Sequence, residues 1–253
     1  MRKLTVLVLF VSCLSARLTA AAISGTFTID GSVSVTTTGI TWTSNSDVAQ
    51  QATISSSGLS GSFVGMFNET VTLNDLTDSI SAQPVGMTFA NYDFINFLGA
   101  PTYPELLADF IALGSGNPSN CTTNPTLATT GQTCTLNSTT TPNEPGGSPF
   151  TFLNTETGTG GCCNSSATWD ISGVTSDGLS TWNAVFTSEF TTPFQSVLNN
   201  FAVNGSVSDS FSGALTVTLM PTGGSSVPEP TTMGLVGAGM LLLWVGSRKR
   251  KGI

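Results

Sequence analysis

Short runs in which apolar and polar residues alternate make up most of the chain between residues 23 and 220. Alternation with a period of two is typical of strands that bury one face, and the Gly, Asn, Asp and Ser residues between the runs favour turns. The runs lie at residues 26–29, 32–35, 40–43, 51–55, 61–66, 70–73, 85–89, 150–153, 168–171, 181–190 and 214–219. The pattern predicts a mainly β domain, a β-sandwich or an open barrel.

Two dipeptides have the composition of tight hairpin turns. Asp30-Gly31 lies between the first two alternating runs, and Asn204-Gly205 precedes the last one. Asn, Asp and Gly tolerate the positive φ angles that a type I′ turn requires. We therefore expect a hairpin centred on residues 30–31 and a second hairpin-type turn at residues 204–205.

Two segments have helical spacing. Residues 104–111 begin with Pro104, place apolar residues at helical intervals and precede Gly114, which can end a helix. In the second segment, Thr192 and Gln195 have the spacing of a capping box. The apolar residues of that segment recur at i, i+3, i+4 and i+7, as Phe194, Val197, Leu198 and Phe201. We expect two short helices that cap an end of the sheet or barrel.

The first 22 residues have the composition of a secretory signal peptide. Arg2 and Lys3 precede an apolar run at residues 4–14, and Ala20 and Ala22 satisfy the small-residue rule for cleavage. We expect cleavage after Ala22 and an exported β-rich domain at residues 23–226.

Within this domain, residues 115–166 are rich in Gly, Pro, Asn, Ser and Thr, which is typical of a long loop. This segment contains four cysteines, Cys121, Cys134, Cys162 and Cys163. An even number of cysteines in an exported protein indicates disulfides. A bond between adjacent cysteines is strained, so we expect Cys121 and Cys134 to pair with Cys162 and Cys163 and to staple the loop.

The distribution of charge excludes several kinds of chemistry. All seven basic residues lie near the two ends of the chain, as Arg2, Lys3, Arg17, Arg248, Lys249, Arg250 and Lys251. Residues 23–247 contain all 15 acidic residues, and the chain has no His. Nucleic-acid binding needs cations, and serine or cysteine nucleophiles need an imidazole or an amine as base. We expect no nucleic-acid partner, no enzymatic activity and no catalytic residues.

The acidic residues suggest one cofactor alternative. Asp75 with Asp78, and Asp170 with Asp177, are close in sequence and carry the oxygen ligands that Ca²⁺ prefers, although neither pair follows an EF-hand pattern. We expect no cofactor, with Ca²⁺ as the alternative. The simpler interpretation is that the acidity keeps an exported protein soluble.

The last 27 residues combine three features. Val227, Pro228, Glu229 and Pro230 precede an uncharged apolar run at residues 231–247, and the basic cluster Arg248, Lys249, Arg250 and Lys251 follows it. As a helix the run spans about 26 Å, enough for a thin bilayer core. The basic cluster predicts a cytoplasmic end. The tail therefore predicts a single transmembrane helix with the domain outside the cell.

These three features resemble, in order and position, the PEP-CTERM sorting signal, over residues 227–253. The resemblance implies that an exosortase, an integral-membrane enzyme similar to cysteine transpeptidases, processes the tail near the Pro-Glu-Pro motif after the export machinery has moved the chain. It implies a protein that is transiently anchored in the inner membrane and then reaches the cell surface or the medium. It implies no activity for the domain upstream.

Together these observations favour a structural or adhesive cell-surface protein, associated with extracellular polysaccharide or biofilm. The alternative is a secreted carbohydrate- or calcium-binding module. Its candidate ligand-stacking residues are Trp42, Trp169, Trp182 and Tyr103, although Trp in strand patterns more often belongs to the core. A glycosidase-like pair of carboxylates is the enzyme chemistry left open, and the sequence selects no pair.

Overall fold

Twelve strands and one α-helix make up the part of the chain that the computed structural model describes, residues 22–77, 82–100, 102–136, 147–156 and 162–221. The strands are β1 (Gly25–Thr36), β2 (Gly39–Thr43), β3 (Gln51–Ile54), β4 (Thr70–Leu73), β5 (Leu76–Thr77), β6 (Thr88–Phe97), β7 (Leu106–Ile111), β8 (Thr133–Cys134), β9 (Thr151–Thr155), β10 (Asn164–Thr175), β11 (Ser180–Phe190) and β12 (Ser206–Leu219). The helix α1 is Phe194–Asn204. The prediction of a mainly β domain is confirmed.

Eight of the strands close into an antiparallel barrel, so the predicted sandwich or open barrel is replaced by a closed one. The neighbours run β11-β12-β1-β3-β4-β6-β7-β10, and β10 pairs with β11 to close the circle. Strands β2 and β5 extend the wall beside β1, and β9 and β8 add to the outer edge of β10. Closure of the barrel pairs the backbone N–H and C=O groups that would stay unpaired at the edges of an open sheet.

The longest ladder joins the two ends of the domain. All twelve residues of β1 pair with β12, from Gly25 opposite Val217 to Thr36 opposite Ser206. Along its other edge, β1 pairs first with β3 and then with β2. The first and last strands of the barrel therefore lie side by side.

Aromatic rings fill the middle of the barrel. The Trp42 ring centroid lies 4.9 Å from that of Phe211, 5.1 Å from Phe186 and 5.9 Å from Phe94. Each such pair contributes about 0.5–1.5 kcal/mol beyond the burial of its area. A second group of rings, Phe27, Phe63, Phe97 and Tyr103, fills the end at which β1 begins.

Two inward-facing glycines make room for the central rings. A Cβ built on Gly213 would lie 2.8 Å from the Phe186 ring, and a Cβ on Gly31 would lie 2.9 Å from the Phe211 ring. Both positions continue the inward face of their strands. Any side chain larger than that of glycine at position 31 or 213 would overlap these rings.

The predicted hairpin at Asp30-Gly31 is wrong, because β1 runs through both residues. The inward alternation of Phe27, Ile29, Gly31 and Val33 is uninterrupted, and Gly31 serves packing rather than a turn. The chain turns instead at residues 37–38, between β1 and β2.

The predicted helix at residues 104–111 is also wrong, because Leu106–Ile111 is strand β7. This strand hydrogen-bonds to both β6 and β10. Ala108 and Phe110 of β7 face the consecutive residues Gly173 and Ser172 of β10, so β7 is bulged at Asp109 and its buried positions are spaced by two and then by three. That spacing resembles a helical repeat in the sequence.

The second predicted helix is confirmed as α1, with different caps. Pro193, not Thr192, precedes its first turn, and its side chain makes no capping bond. Gly205 follows with φ of 73°, which favours glycine, and its N–H donates to the Phe201 carbonyl. Residues 204–205 therefore end a helix rather than form the predicted hairpin turn.

In three other segments the observed elements differ from the predicted ones. Residues 61–66, predicted as a strand, begin with the short 3₁₀ helix Gly61–Phe63. In the predicted strand 85–89, Val85 makes one isolated bridge, and β6 itself runs from Thr88 to Phe97. The segment 115–166, predicted as a loop, contains β8, β9 and the start of β10.

Replacing Gly213 with valine should destabilise the barrel by about 1–3 kcal/mol, because the added methyl groups would push into the Phe186 ring. Urea unfolding of the exported protein, followed by tryptophan fluorescence, measures the loss. The control is Ala214→Val at the next position, which faces solvent and should change stability by less than about 0.5 kcal/mol. Equal losses in the two variants would contradict the inward orientation of Gly213.

Candidate binding cavity

The barrel contains a cavity of about 400 Å³ at the end where β11 finishes and β12 begins. Inward side chains of the strands form its side walls, among them Val33, Ile40, Ile111 and Val207. Its lining is mostly apolar. The connecting segments 83–85 and 147–150 also contribute to the wall.

The cavity lies next to the aromatic rings that fill the middle of the barrel. Toward α1, the next inward residue after Phe186 is Ser188, and the next after Phe211 is Asp209. Each step replaces a ring with a short side chain, and Ser188 and Asp209 both line the cavity. Trp169, stacked on Phe186 with centroids 5.6 Å apart, also lines it and marks its inner limit.

Helix α1 covers this end of the barrel. Its apolar face contributes Val197, Leu198 and Phe201 to the cavity wall. The amphipathic spacing seen in the sequence therefore faces the barrel interior, as expected of a capping helix.

A chain of buried amides holds α1 in place. The Asn154 side-chain amide donates to Gln195 Oε1 at 3.0 Å, and Gln195 Nε2 donates to Gln132 Oε1 at 2.7 Å. The Phe194 N–H donates to Asn154 Oδ1 at 3.0 Å. Gln195, predicted to cap the helix, instead ties α1 to β9 and to the segment before β8. These bonds satisfy buried polar groups without any charge.

Two buried polar atoms at the cavity lack hydrogen-bond partners among the described residues. They are Ser188 Oγ and Trp169 Nε1, on side chains that are 3% and 2% exposed. By contrast, Trp182 Nε1 donates to the carbonyls of Leu107 and Val174. A buried donor without an acceptor costs about 1–3 kcal/mol, and each of these two atoms exposes less than 1 Å² of surface.

Asp209 brings an ionisable group to the same wall. It follows Val207 on the inward face of β12, and its Oδ1 accepts a 2.8 Å hydrogen bond from the Ser210 N–H. Burial raises the pKa of the Asp209 carboxyl above its ordinary value of 3.8, although the hydrogen bonds from Ser210 oppose the shift. No basic residue lies anywhere in residues 23–247 to balance its charge.

Sequence reasoning missed both Ser188 and Asp209. The usable signal is a polar residue at an inward position of an alternating strand. In β11, Ser188 follows the inward series Trp182, Ala184 and Phe186, and in β12, Asp209 interrupts the inward series that begins with Val207.

The predicted cysteine pairing differs from the observed one. Cys121 bonds to Cys134, so neither of them pairs with Cys162 or Cys163. The segment between Cys121 and Cys134 folds back on itself, with the Asn120 amide donating to the Thr133 carbonyl, so this pair closes a local loop. This disulfide staples residues 121–134 and does not connect them to Cys162 or Cys163.

Of the two candidate calcium pairs, the structure describes both members of one, Asp170 and Asp177, and it places them apart. Asp170 lies in the middle of β10, whereas Asp177 lies beyond its end, where Oδ1 accepts bonds from Thr175 Oγ1 and the Leu179 N–H. Five strand residues separate Asp170 from the end of β10, about 17 Å of extended chain. Asp78 lies outside the described residues. Within the described ranges no group of three or more acidic or cysteine side chains converges as a metal site.

Of the candidate ligand-stacking aromatics, the three tryptophans are buried and Tyr103 is half-buried. Trp42, Trp169 and Trp182 are at most 2% exposed, and Tyr103 packs on Phe63 and Phe97 while its hydroxyl donates to the Ser62 carbonyl. The sequence interpretation of these tryptophans as core residues is confirmed.

Both predicted processing regions lie outside the described residues. They comprise Ala20 with the rest of the signal peptide up to residue 21, and Val227, Pro228, Glu229, Pro230, the apolar run and the basic cluster at the other end. In the portion of the chain that the structure describes, no helix is both long enough and apolar enough to cross a membrane.

Comparison with known proteins identifies the C-terminal segment. The family model described as the PEP-CTERM protein-sorting motif matches residues 226–251. The chain therefore carries a PEP-CTERM sorting signal, which implies export, an exosortase as processing partner and passage through a membrane-associated stage. Neither curated proteins nor solved structures show a significant match to this chain.

Replacing Asp209 with asparagine should raise the melting temperature at neutral pH. Because its pKa is raised in the fold, the folded state holds the proton more tightly than the unfolded chain, and ionisation costs stability above the raised pKa. The cost, and with it the gain from the variant, should fade as the pH drops through the raised pKa towards 3.8. Thermal melts across this pH range measure the effect.

The matched control for this prediction is Asp30→Asn. It removes the same charge from the outward face of β1, opposite Ser212. Asp209→Asn should exceed the control at neutral pH, and the two should converge in acid. Identical gains at every pH would contradict the position of Asp209 in the cavity wall.

Proposed function

We propose that this chain, sorted through its PEP-CTERM signal, is a structural or adhesive protein of the cell surface or extracellular polysaccharide matrix. The observation that carries the proposal is the match of the sorting motif to residues 226–251, which follow the last barrel strand in the sequence. In this account an exosortase acts near the motif Val227, Pro228, Glu229 and Pro230, and the barrel is the part that remains outside.

The outer surface of the barrel supports an adhesive role. On the outward faces of the paired strands β1 and β12, Thr26 faces Thr216, Ser32 faces Ser210 and Ser34 faces Ser208. The Ser208 hydroxyl donates to Ser34 Oγ at 2.8 Å. A ladder of short hydroxyl groups offers many donors and acceptors to the hydroxyls of a polysaccharide, and it requires no charged contact.

The charge of the domain supports delivery to the outside and a non-catalytic role. Residues 23–247 carry 15 acidic and no basic groups, so like charge keeps copies of the domain apart. The proposal includes no enzymatic activity, because the domain has no His, Lys or Arg side chain to act as a catalytic base and the sequence selects no glycosidase-like pair of carboxylates.

Mass spectrometry of the product from native cells tests the sorting step. The mature chain should start near Ile23 and end near Pro230. Glu229→Ala with Pro230→Ala should leave the tail attached, because the processing enzyme would lose its motif, while the upstream control Gly224→Ala with Ser225→Ala should be processed normally. A native product that retains Trp244 and Arg248 would reduce the tail to a simple membrane anchor.

The same cells test the matrix role. The processed protein should fractionate with the extracellular polysaccharide, and replacing Ser32, Ser34, Ser208 and Ser210 with alanine should release it into the medium. Correct processing with no retention in the polysaccharide fraction would reject the adhesive role and leave the sorting intact.

A further inference from the structure

We propose that the cavity under α1 binds a small amphipathic cation, a primary ammonium group on a short alkyl chain. The ammonium group pairs with the Asp209 carboxylate, and the alkyl chain lies along the apolar wall. This inference rests on the barrel interior and does not depend on the sorting signal or the matrix role. Three features carry it: the size and lining of the cavity, the position of Asp209 in its wall and the distribution of charge in the domain.

The size and lining select a small apolar body. A volume of about 400 Å³ lies in the range of small-molecule sites. At about 30 Å³ for each heavy atom, it holds on the order of 13 heavy atoms. The walls that Val33, Ile40, Ile111 and Val207 provide, together with Leu198 of α1, offer mainly dispersion contacts and burial of apolar area.

The register of the sheet places one carboxylate at the edge of this apolar wall. Asp209 of β12 is directly opposite Val33 of β1, and the next inward pair is Val207 opposite Val35. All four residues line the cavity. Opposite residues on one face of a sheet have Cβ atoms about 4.5–5.5 Å apart. A molecule held at Asp209 therefore meets three valine side chains.

The Asp209 carboxylate is accessible and has acceptor capacity to spare. Its side chain is half-buried, and Thr37, which also lines the cavity, is exposed, so the cavity reaches the surface. Its Oδ1 accepts one hydrogen bond, from the Ser210 N–H. An ionised carboxylate has about four acceptor sites on its two oxygens, so it can also accept from the N–H groups of an ammonium ion.

The protein itself provides no cation for this carboxylate. Among the described residues that line the cavity, Asp209 is the one that carries a charge, and residues 23–247 contain no Lys, Arg or His. Burial raises the pKa of the Asp209 carboxyl, which means that the fold disfavours its ionised form. A bound ammonium group reverses that penalty, because an opposite charge within hydrogen-bond distance favours the carboxylate.

The same features reject three other classes of ligand. A fatty acid of similar length would lose its hydration and face a like charge. A neutral alcohol fits the apolar wall and leaves the carboxylate without a counter-ion. A bare Ca²⁺ ion takes 6–8 oxygen ligands, and no group of three or more acidic or cysteine side chains converges in the described part of the chain.

Photolabelling of the full-length chain in phosphatidylcholine nanodiscs tests the proposal. The probe is octylamine with a diazirine near its terminal methyl, and the competitors are octylamine, 1-octanol and octanoate at equal free concentrations. At pH 8 the amine is protonated, because a primary amine has a pKa of about 10. About 0.15 M NaCl screens the distant acidic groups.

The proposal predicts both the position of the label and the order of the competitors. Chymotrypsin digestion and mass spectrometry should locate the label in peptides that contain residues 83–85, 147–150 or 194–207, which line the cavity. Octylamine should compete at least tenfold better than 1-octanol, the value of one hydrogen bond between charged groups, and octanoate should be the weakest.

Two substitutions separate recognition at Asp209 from general attraction to an acidic protein. Asp209→Asn should reduce the preference for octylamine over 1-octanol to less than about threefold and leave competition by 1-octanol unchanged. The matched control Asp30→Asn removes the same charge from the outward face of β1 and should keep the full preference.

The proposal is overturned if the label is absent from the cavity peptides, or if 1-octanol competes as well as octylamine in the unmodified chain. It is also overturned if Asp209→Asn keeps the preference for the amine, or if Asp30→Asn lowers it by the same factor. If circular dichroism shows that Asp209→Asn does not fold, the position of the label and the order of the three competitors on the unmodified chain decide the outcome.

Discussion

The absence of any cationic side chain between residues 18 and 247 is the constraint on which the rest of this structure depends. No carboxylate in the barrel can form an ion pair with a neighbouring side chain, so each must stay solvated or accept hydrogen bonds from neutral groups. Asp177 and Asp209 illustrate the second solution, since both accept bonds from nearby backbone N–H groups. The interior is consequently built from apolar side chains and neutral amides, and the fold rests on burial and on the closed hydrogen-bond ladders.

Within that interior, a change in side-chain size produces the cavity. Inward glycines at Gly31 and Gly213 admit the rings of Phe211 and Phe186, and these rings surround Trp42 and close the middle of the barrel. One step further along β11 and β12 the inward residues are Ser188 and Asp209 in place of rings, and helix α1 covers the space that remains. The buried amides of Asn154 and Gln195 hold that helix, so the cover is fixed to the barrel by neutral hydrogen bonds.

The sequence predicted what depends on local pattern. The strands that alternate cleanly, such as β4 and β11, were found close to their true bounds, and α1 was found from its apolar spacing. The failures arose where tertiary packing overrides local preference. Gly31 resembled a turn residue because the ring that it accommodates, Phe211, comes from the far end of the chain. Strand β7 resembled a helix because a bulge at Asp109 changed the spacing of its buried residues. Closure of the barrel, the cysteine pairing and the cavity depend on which strands become neighbours, and no single segment carries that information.

The dependence of the melting temperature on salt tests the central claim most directly. A barrel with only negative groups has repulsion to screen and no ion pairs to lose, so its midpoint should rise as NaCl increases from near zero to about 0.15 M, where the screening length falls to about 8 Å. The account predicts that rise for the exported protein at neutral pH. A midpoint that falls over the same range would contradict it, because it would mean that attractive electrostatic contacts help to hold the fold together.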